Sequence, residues 1–422
     1  MRTRWPLTLC LAVLITGACH LAHADLQYWL DDVPDYDWYH GCSPTSGGQL
    51  IGYWDNQSGY ENLWDGTAPQ TASHSHSIYQ MIASDEHVNA TYQDEACTHT
   101  NAPNSVSCFM HTNPSNGSSS GWNISSGMRG YADWDDPNTL IDESYDFTSF
   151  LHVTPHAGWS DFWNAGTFRY VDFMREIDAG RPVLLNLSFS NGAGHSVTAY
   201  GYWIDDDGDR WYAVRDTWQN GIGSAEAARG VTAVANNGQE WWRYDLEVTP
   251  DSAGTDYFVD NAVPFIPNDD GPVNEDSDFG DSLAAALTLN SDVETIYASL
   301  TADDEDWFRV WLNAGDRACV NTQDYEGYDT AIDTEVWLYS SGGDAIAYSD
   351  TIDSRTNISN LWWQADQSDW YYLSVFAGGN SGVPQTGDYV MTWYRADVPE
   401  PGTLALVALG IAGLLARRRR TH

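Results

Sequence analysis

The hydrophobic pattern changes character partway along the chain, and that change limits the fold more than any other feature. From residue 279 to 396 the apolar residues come in short alternating runs. Examples are Trp307-Phe308-Arg309-Val310-Trp311-Leu312, Glu335-Val336-Trp337-Leu338-Tyr339, residues 370–376 and residues 389–394. A period of two puts successive side chains on opposite faces of a strand. Turn residues separate these runs at the spacing of a β-sandwich. Upstream, residues 25–265 mix helical and strand periods. Between the two regions, Ile266-Pro267-Asn268-Asp269-Asp270-Gly271-Pro272 is rich in proline and acid. Extended to residue 278, it reads as a linker. The expected architecture is an α+β domain over 25–265, a linker over 266–278 and an all-β sandwich over 279–396.

Within the first domain, a helix should follow Cys42 and run through Leu50 and Trp54. Gly47 and Gly48 let it pack closely against another element. A second helix is expected over 168–178, with Phe173, Met174 and Ile177 on its apolar side and Gly180 ending it. Strands are expected over 182–189, 196–204 and 210–218. The Asp205-Asp206-Asp207-Gly208-Asp209 run makes a tight turn between the last two. A simple hairpin centred on Asp207 sets Asp216 opposite Thr198. Bringing Asp216 to His195 therefore requires a bulge or a different turn.

Charge removes some functions. There are 60 acidic residues against 18 basic ones, and lysine is absent from the sequence. Such a surface repels nucleic acid phosphates and anionic lipid. Arg2 and Arg4, an apolar stretch over 7–15 and Ala22-His23-Ala24 read as an export signal over 1–24. At the other end, Val398-Pro399-Glu400-Pro401 precedes an apolar run over 402–416 and four arginines. Fifteen residues fall short of the ~20 that span a bilayer comfortably. Of the six cysteines, Cys10 and Cys19 lie in the signal. Cys97 and Cys108 sit in a polar region and are the expected disulfide pair, as suits an exported chain. Cys319, at the start of a strand, reads as a buried structural thiol.

Cys42 stands at the mouth of a helix, in His40-Gly41-Cys42-Ser43-Pro44-Thr45. Pro44 suits the opening turn, where its missing N–H removes no bond. Free backbone donors and the helix dipole favour a thiolate there, and the thiolate is the nucleophile. A base must take its proton. His195, in Gly192-Ala193-Gly194-His195, has glycines that permit close approach of backbone or substrate. His40 is too near Cys42 in sequence to be preferred. Asp216, in Asp216-Thr217-Trp218, is the candidate to orient the base. His74 and His76 lack matching further ligands, so no metal site is expected. No cofactor is expected either, beyond a structural calcium weighed at Asp205, Asp207 and Asp209, which lack the closing bidentate acid of a helix-loop-helix site.

Cysteine early on a helix, then histidine, then an acid on a late sheet, is a papain arrangement. With Gly41-Cys42-Ser43-Pro44-Thr45-Ser46, Glu176-Ile177-Asp178-Ala179-Gly180-Arg181-Pro182-Val183, Gly194-His195, Gly201-Tyr202 and Asp216-Thr217-Trp218, residues 28–220 resemble the papain-like peptidases of the C39-like group. The resemblance implies a Cys42-His195-Asp216 triad acting on a peptide or protein substrate. The family's glycine after the cysteine is Ser43 here. Its oxyanion-binding glutamine, six residues before the cysteine, is Tyr36. The Cys42 backbone N–H, helped by Tyr36 or by Tyr39 or Trp38, is the expected replacement. Residues 280–395 resemble the bacterial pre-peptidase C-terminal domain through Asp306-Trp307-Phe308, Ala314-Gly315-Asp316, residues 333–339, residues 370–375 and Gly387-Asp388-Tyr389. That likeness implies substrate or matrix binding, an extracellular polysaccharide included. The tail over 397–422 resembles the PEP-CTERM sorting signal. It implies recognition by an exosortase and delivery to the envelope of a Gram-negative bacterium. The reading that competes with a thiol peptidase is a non-catalytic papain-fold protein that binds surface or matrix; transpeptidation is a third.

Overall fold

The computed structural model describes residues 26–90, 104–134, 145–149, 151–153, 168–189, 194–205, 207–218, 233–243, 257–268, 273–274, 279–301, 304–324, 332–350, 359–378 and 386–396. The export signal and the sorting tail lie outside them. Six helices appear among the described residues: α1 Cys42–Asp55, α2 Ile78–Ile82, α3 Asp85–Asn89, α4 Val106–Phe109, α5 Gly121–Ala132 and α6 Tyr170–Asp178. Strand predominates. The first sheet contains β1 Leu26–Trp29, β2 Phe147–Ser149, β3 His152–Val153, β4 Val183–Phe189, β5 Gly194–Ile204, β6 Arg210–Arg215, β7 Ala233–Asn236, β8 Gln239–Trp242 and β9 Tyr257–Pro267. Its order is β2-β9-β4-β5-β6-β8-β7, with β1 also on β5 and β3 on β9.

The alternation along β4 and β5 explains how this sheet carries a layer on each face. Val183, Leu185, Val197 and Ala199 pack with Phe173 and Ile177 of α6. Leu184 joins Val263 and Phe265 on the opposite face, against Leu50 and Ile51 of α1 and residues of α2, α4 and α5. Helix α1 is thus central, between the sheet and three helices. Its small residues make this possible. A Cβ at Gly47 would lie 2.7 Å from both Met110 and Met128, and one at Gly48 2.6 Å from Ile82.

The second region is built from β10 Val273–Asn274, β11 Leu287–Thr288, β12 Val293–Leu300, β13 Glu305–Leu312, β14 Arg317–Asp324, β15 Thr334–Tyr339, β16 Ala345–Ser349, β17 Asn360–Gln364, β18 Asp369–Ala377 and β19 Gly387–Ala396. They form two five-stranded sheets, β10-β12-β19-β14-β17 and β11-β13-β18-β15-β16. Ile296, Val320, Leu361 and Met391 of the first meet Phe308, Val310, Val336 and Leu373 of the second in one core. This is the sandwich expected from the alternating runs.

Several boundaries move. The second helix starts at Tyr170, and the histidine strand starts at Gly194. The strand expected over 210–218 ends at Arg215, because Thr217 takes a left-handed backbone (φ 67°) that no ladder accommodates. Ile266 and Pro267 are not linker. They close β9, opposite Thr148 and Phe147 of β2. The two regions also share a buried seam. Arg317 of β14 reaches Asp172 of α6 at 2.8 Å, and the Tyr394 hydroxyl meets the Glu176 carboxylate. His152 packs in one aromatic cluster with Phe168, Trp362 and Tyr394.

Candidate active site

Cys42 is the first residue of α1 and is half-buried. Gly41 before it has φ 152°, and a Cβ there would come within 2.8 Å of the Gly117 carbonyl. Only glycine fits that approach. The Thr45 hydroxyl donates to the Gly41 carbonyl at 2.6 Å and accepts from the Tyr39 N–H at 3.0 Å, which closes the turn that delivers Cys42. Gly41 gives the first helical turn no side-chain cap.

His195 opens β5 and is 4% exposed. Two contacts fix its ring. Nε2 lies 2.8 Å from the main-chain carbonyl of Asp216, and the ring stacks on Trp218 with centroids 3.7 Å apart and planes 11° from parallel. A carbonyl oxygen only accepts, so Nε2 carries the proton and neutral His195 keeps Nδ1 as its basic nitrogen.

A bulge shortens the offset anticipated between Asp216 and His195 by one residue. Ile204 pairs with Arg210 and Gly201 with Ala213, but Ala199 pairs with Val214 and Thr198 with Arg215. Tyr200 is the extra residue, and it shifts β6 one position toward His195. The chain then turns at Thr217. The Asp216 carboxylate accepts from the Trp218 N–H at 2.9 Å, holding that turn. The recorded contact from Asp216 to His195 therefore runs through its carbonyl, while its carboxylate shapes the turn.

Helix mouth and strand start meet directly. The hydroxyls of Ser43 and Ser196, the chain neighbours of Cys42 and His195, are 2.8 Å apart. Thr198 Oγ1 donates to the Ser46 carbonyl at 3.2 Å one turn further on. Among the described residues no hydrogen bond joins the Cys42 sulfur to the His195 ring.

Tyr36 is not at this site. It is fully buried, its hydroxyl donates to the Pro69 carbonyl at 2.9 Å, and the same oxygen abuts Gly52. Gly52 lies ten residues from Cys42 along α1, roughly 15 Å at the helical rise. The expectation that Tyr36 helps hold an oxyanion fails on that distance. His40, the other histidine near Cys42, also has left-handed backbone (φ 54°). Burial, then the neighbouring His87 and His74, lower its pKa. Cys108 is buried, with its sulfur 3.6 Å from His87 Nδ1; Cys97, its expected partner, lies outside the described residues. Cys319 is buried in β14, and burial pushes its thiol pKa well up.

The acidic turn is occupied by its own backbone. Asp205 Oδ1 accepts from the N–H groups of Asp207 and Asp209, and Oδ2 from the Trp211 indole at 2.8 Å. Asp209 pairs with Arg243 at 2.7 Å. Among the described residues no group of three or more His, Cys, Asp or Glu side chains is arranged to hold a metal ion. Sequence reading missed the stacked Trp218, although it stands in the quoted Asp216-Thr217-Trp218 run, and the Ser43–Ser196 contact.

A family model described as the Peptidase_C39 like family matches residues 25–244, more than half of the chain. The chain belongs to the Peptidase_C39-like family. A second model, the PEP-CTERM protein-sorting motif, matches residues 397–420. This C39-like protein is therefore exported and anchored at its C-terminus, and the motif implies recognition by an exosortase. No helix among the described residues is long and apolar enough to cross a membrane. No curated protein matches the chain. Solved structures with similarity include the pre-peptidase C-terminal domain of a collagenase from Bacillus anthracis, at 18% identity over 26% of this chain and 92% of that one, TM-score 0.20. Another is the Aeromonas hydrophila PliG inhibitor of g-type lysozyme, at 11% identity over 26% and 96%, TM-score 0.21.

Proposed function

We propose that this C39-like protein is a papain-like cysteine peptidase of the cell envelope, with a peptidase domain over 25–265 and a pre-peptidase-type sandwich over 279–396. Cys42 is the nucleophile. Nδ1 of His195 takes the thiol proton, and the thiolate attacks the peptide carbonyl carbon. The Cys42 N–H helps hold the oxyanion at the uncapped helix start. The protonated imidazole then gives its proton to the leaving amine, and water hydrolyses the thioester. Asp216 orients His195 through its carbonyl, and Trp218 covers the ring.

The observation that carries this reading is the Ser43–Ser196 contact, which sets the chain neighbours of nucleophile and base side by side. The test is alkylation of the native protein with iodoacetamide at pH 6, with Cys42 read by peptide mass mapping. A thiolate-forming pair predicts reaction at least about tenfold faster than a free cysteine, and His195→Ala should abolish the advantage. Cys42 reacting as an ordinary thiol, indifferent to His195→Ala, ends the hydrolytic reading. Added amine acceptors in a peptide assay separate hydrolysis from transpeptidation.

A second reading, surface or matrix binding, is favoured by one feature of the sandwich. The outer face of β13, β15, β16 and β18 carries aromatic rings in ordered contact. Trp307 stacks with Tyr339, Trp337 with Tyr348, and Trp311, 41% exposed, meets Trp370 edge-on. Flat rings flanked by Glu305 and Glu335, which bond the indoles of Trp307 and Trp337, suit the apolar faces and hydroxyl rims of a polysaccharide. Binding that survives Cys42→Ala but not Trp311→Ala with Trp337→Ala supports this role. Retention on no insoluble polysaccharide removes it.

A further inference from the structure

The Ser43–Ser196 contact is the end of a longer polar row. Ser196 donates to Asn186 Oδ1 at 2.6 Å, and Asn186 Nδ2 donates to Asn261 Oδ1. The register places Ser196 opposite Asn186 and Asn186 opposite Asn261. The row therefore crosses three adjacent strands, β5, β4 and β9, at one height. A hydroxyl has one proton. Ser196 gives its own to Asn186, so it must accept from Ser43, and the row is directional from α1 into the sheet. Ser43 and Ser196 are 4% and 3% exposed. Buried hydroxyls without partners are costly, and a bonded chain of them is rigid.

We infer that Ser43, Ser196 and Asn186 are positioning residues that set Cys42 against His195. The inference rests on the cysteine-peptidase reading above. Serine here replaces the glycine its family resemblance leads one to expect after the cysteine. A glycine has no side chain with which to reach the sheet, so this chain carries a tie between helix and strand one residue from each reacting group. Because the tie is between neighbours, loss of either hydroxyl should displace the thiol relative to the ring without removing a reacting atom. The two hydroxyls share one bond and Ser196 also bonds Asn186, so removing both should do little more than removing the Ser196 hydroxyl alone.

The experiment follows Cys42 alkylation against pH in the full chain, with unfolding midpoints in parallel. Ser43→Ala should slow the His195-dependent reaction near pH 6 about tenfold, the equivalent of one bond of this kind, and Ser196→Ala, which also loses the bond to Asn186, at least as much. The double variant should be no slower than Ser196→Ala, and Ser196→Thr, which keeps the hydroxyl, should restore the rate. Thr198→Val removes a hydroxyl from the same face of the same strand; it should lower the midpoint and leave the pH profile in place. Wild-type profiles in Ser43→Ala and Ser196→Ala, with His195→Ala still slow, overturn the positioning role and leave the peptidase reading standing. Wild-type Cys42 that is no faster than a free thiol overturns both.

Discussion

At His195 a carbonyl holds one edge of the ring and an indole covers its face, and both come from the three residues 216–218. The Asp216 carboxylate accepts from the Trp218 N–H and so shapes the turn that presents both groups. Asp216→Asn retains an oxygen for the Trp218 N–H and leaves the carbonyl in place. It should keep Cys42 alkylation within about threefold of wild type. Asp216→Ala loses the turn bond, a loss of about 1 kcal/mol, and releases the strain of a buried Thr217 in left-handed backbone. It should slow alkylation further and lower the unfolding midpoint. Equal loss in both variants would assign the effect to the carboxylate charge instead. Each of the three candidate residues was nominated by a distinctive local run. The carbonyl route was not, since a main-chain contact leaves no residue type to read. Tyr36 misled because six residues before the cysteine is a sequence distance, and the chain carries that tyrosine to the far part of α1.

Helix α1 and the β5–β6 hairpin bring the chain neighbours of Cys42 and His195 together, and each depends on a feature of known size. The bulge at Tyr200 was legible as a need, from counting across the Asp-rich turn, but its position was not. Alternation revealed β13, β15 and β18 because one face of each is partly wet, whereas β19 is buried on both faces over residues 389–394. It was blind to the side of the first sheet, whose strands are covered on both faces. Helix glycines offer a clean contrast. A Cβ at Gly47 of α1 meets the flexible ends of Met110 and Met128, whereas one at Gly127 of α5 meets the Met110 backbone at 2.7 Å. Alanine gains about 1 kcal/mol of helix propensity at either site. Gly47→Ala, whose Cβ also meets Val106 Cγ1 at 3.1 Å, should therefore destabilise less than Gly127→Ala by urea denaturation. Gly127→Ala should destabilise by about 1–3 kcal/mol, because backbone does not yield as a methionine does.

Across the whole molecule, acidity acts in two ways. The net charge of −42 opposes compaction at neutral pH. One buried and one half-buried carboxyl add to this. Burial lifts Asp55 from 3.8 to about 7, against the pull of the Trp64 and Ala68 N–H groups, and lifts Asp146 to about 6. A raised carboxyl pKa means that the folded state keeps protons the unfolded chain has released. The stability from these groups is complete below 3.8 and falls as pH rises through about 6 and 7. Urea midpoints should be higher at pH 5 than at pH 8. Asp55→Asn should narrow the gap, and a gap unchanged in that variant would locate the dependence elsewhere.

The seam between sandwich and sheet decides whether the two regions unfold as one. Cys319, Trp362 and Tyr394 of the sandwich sit in the same apolar cluster as Phe168, Phe173 and Ile177. Asp172 is fully buried and is met by Arg317 at 2.8 Å and Arg175 at 3.3 Å. Glu176, 1% exposed, is held by Arg181 at 2.8 Å and by Tyr394. Removing the closer arginine leaves buried Asp172 with the longer contact to Arg175, a loss of up to about 3–5 kcal/mol, whereas a hydroxyl whose acceptor keeps a charged donor at 2.8 Å is a loss of about 1 kcal/mol. Arg317→Ala should therefore destabilise far more than Tyr394→Phe. Since the charges bridge the regions, calorimetry of the wild type should show a single cooperative transition that Arg317→Ala moves to lower temperature or splits in two. Two transitions already present in the wild type, with only the later one answering to Arg317→Ala, would mean that the sandwich is a separate body tied on by its linker and that the buried ion pairs do not couple it to the sheet bearing His195.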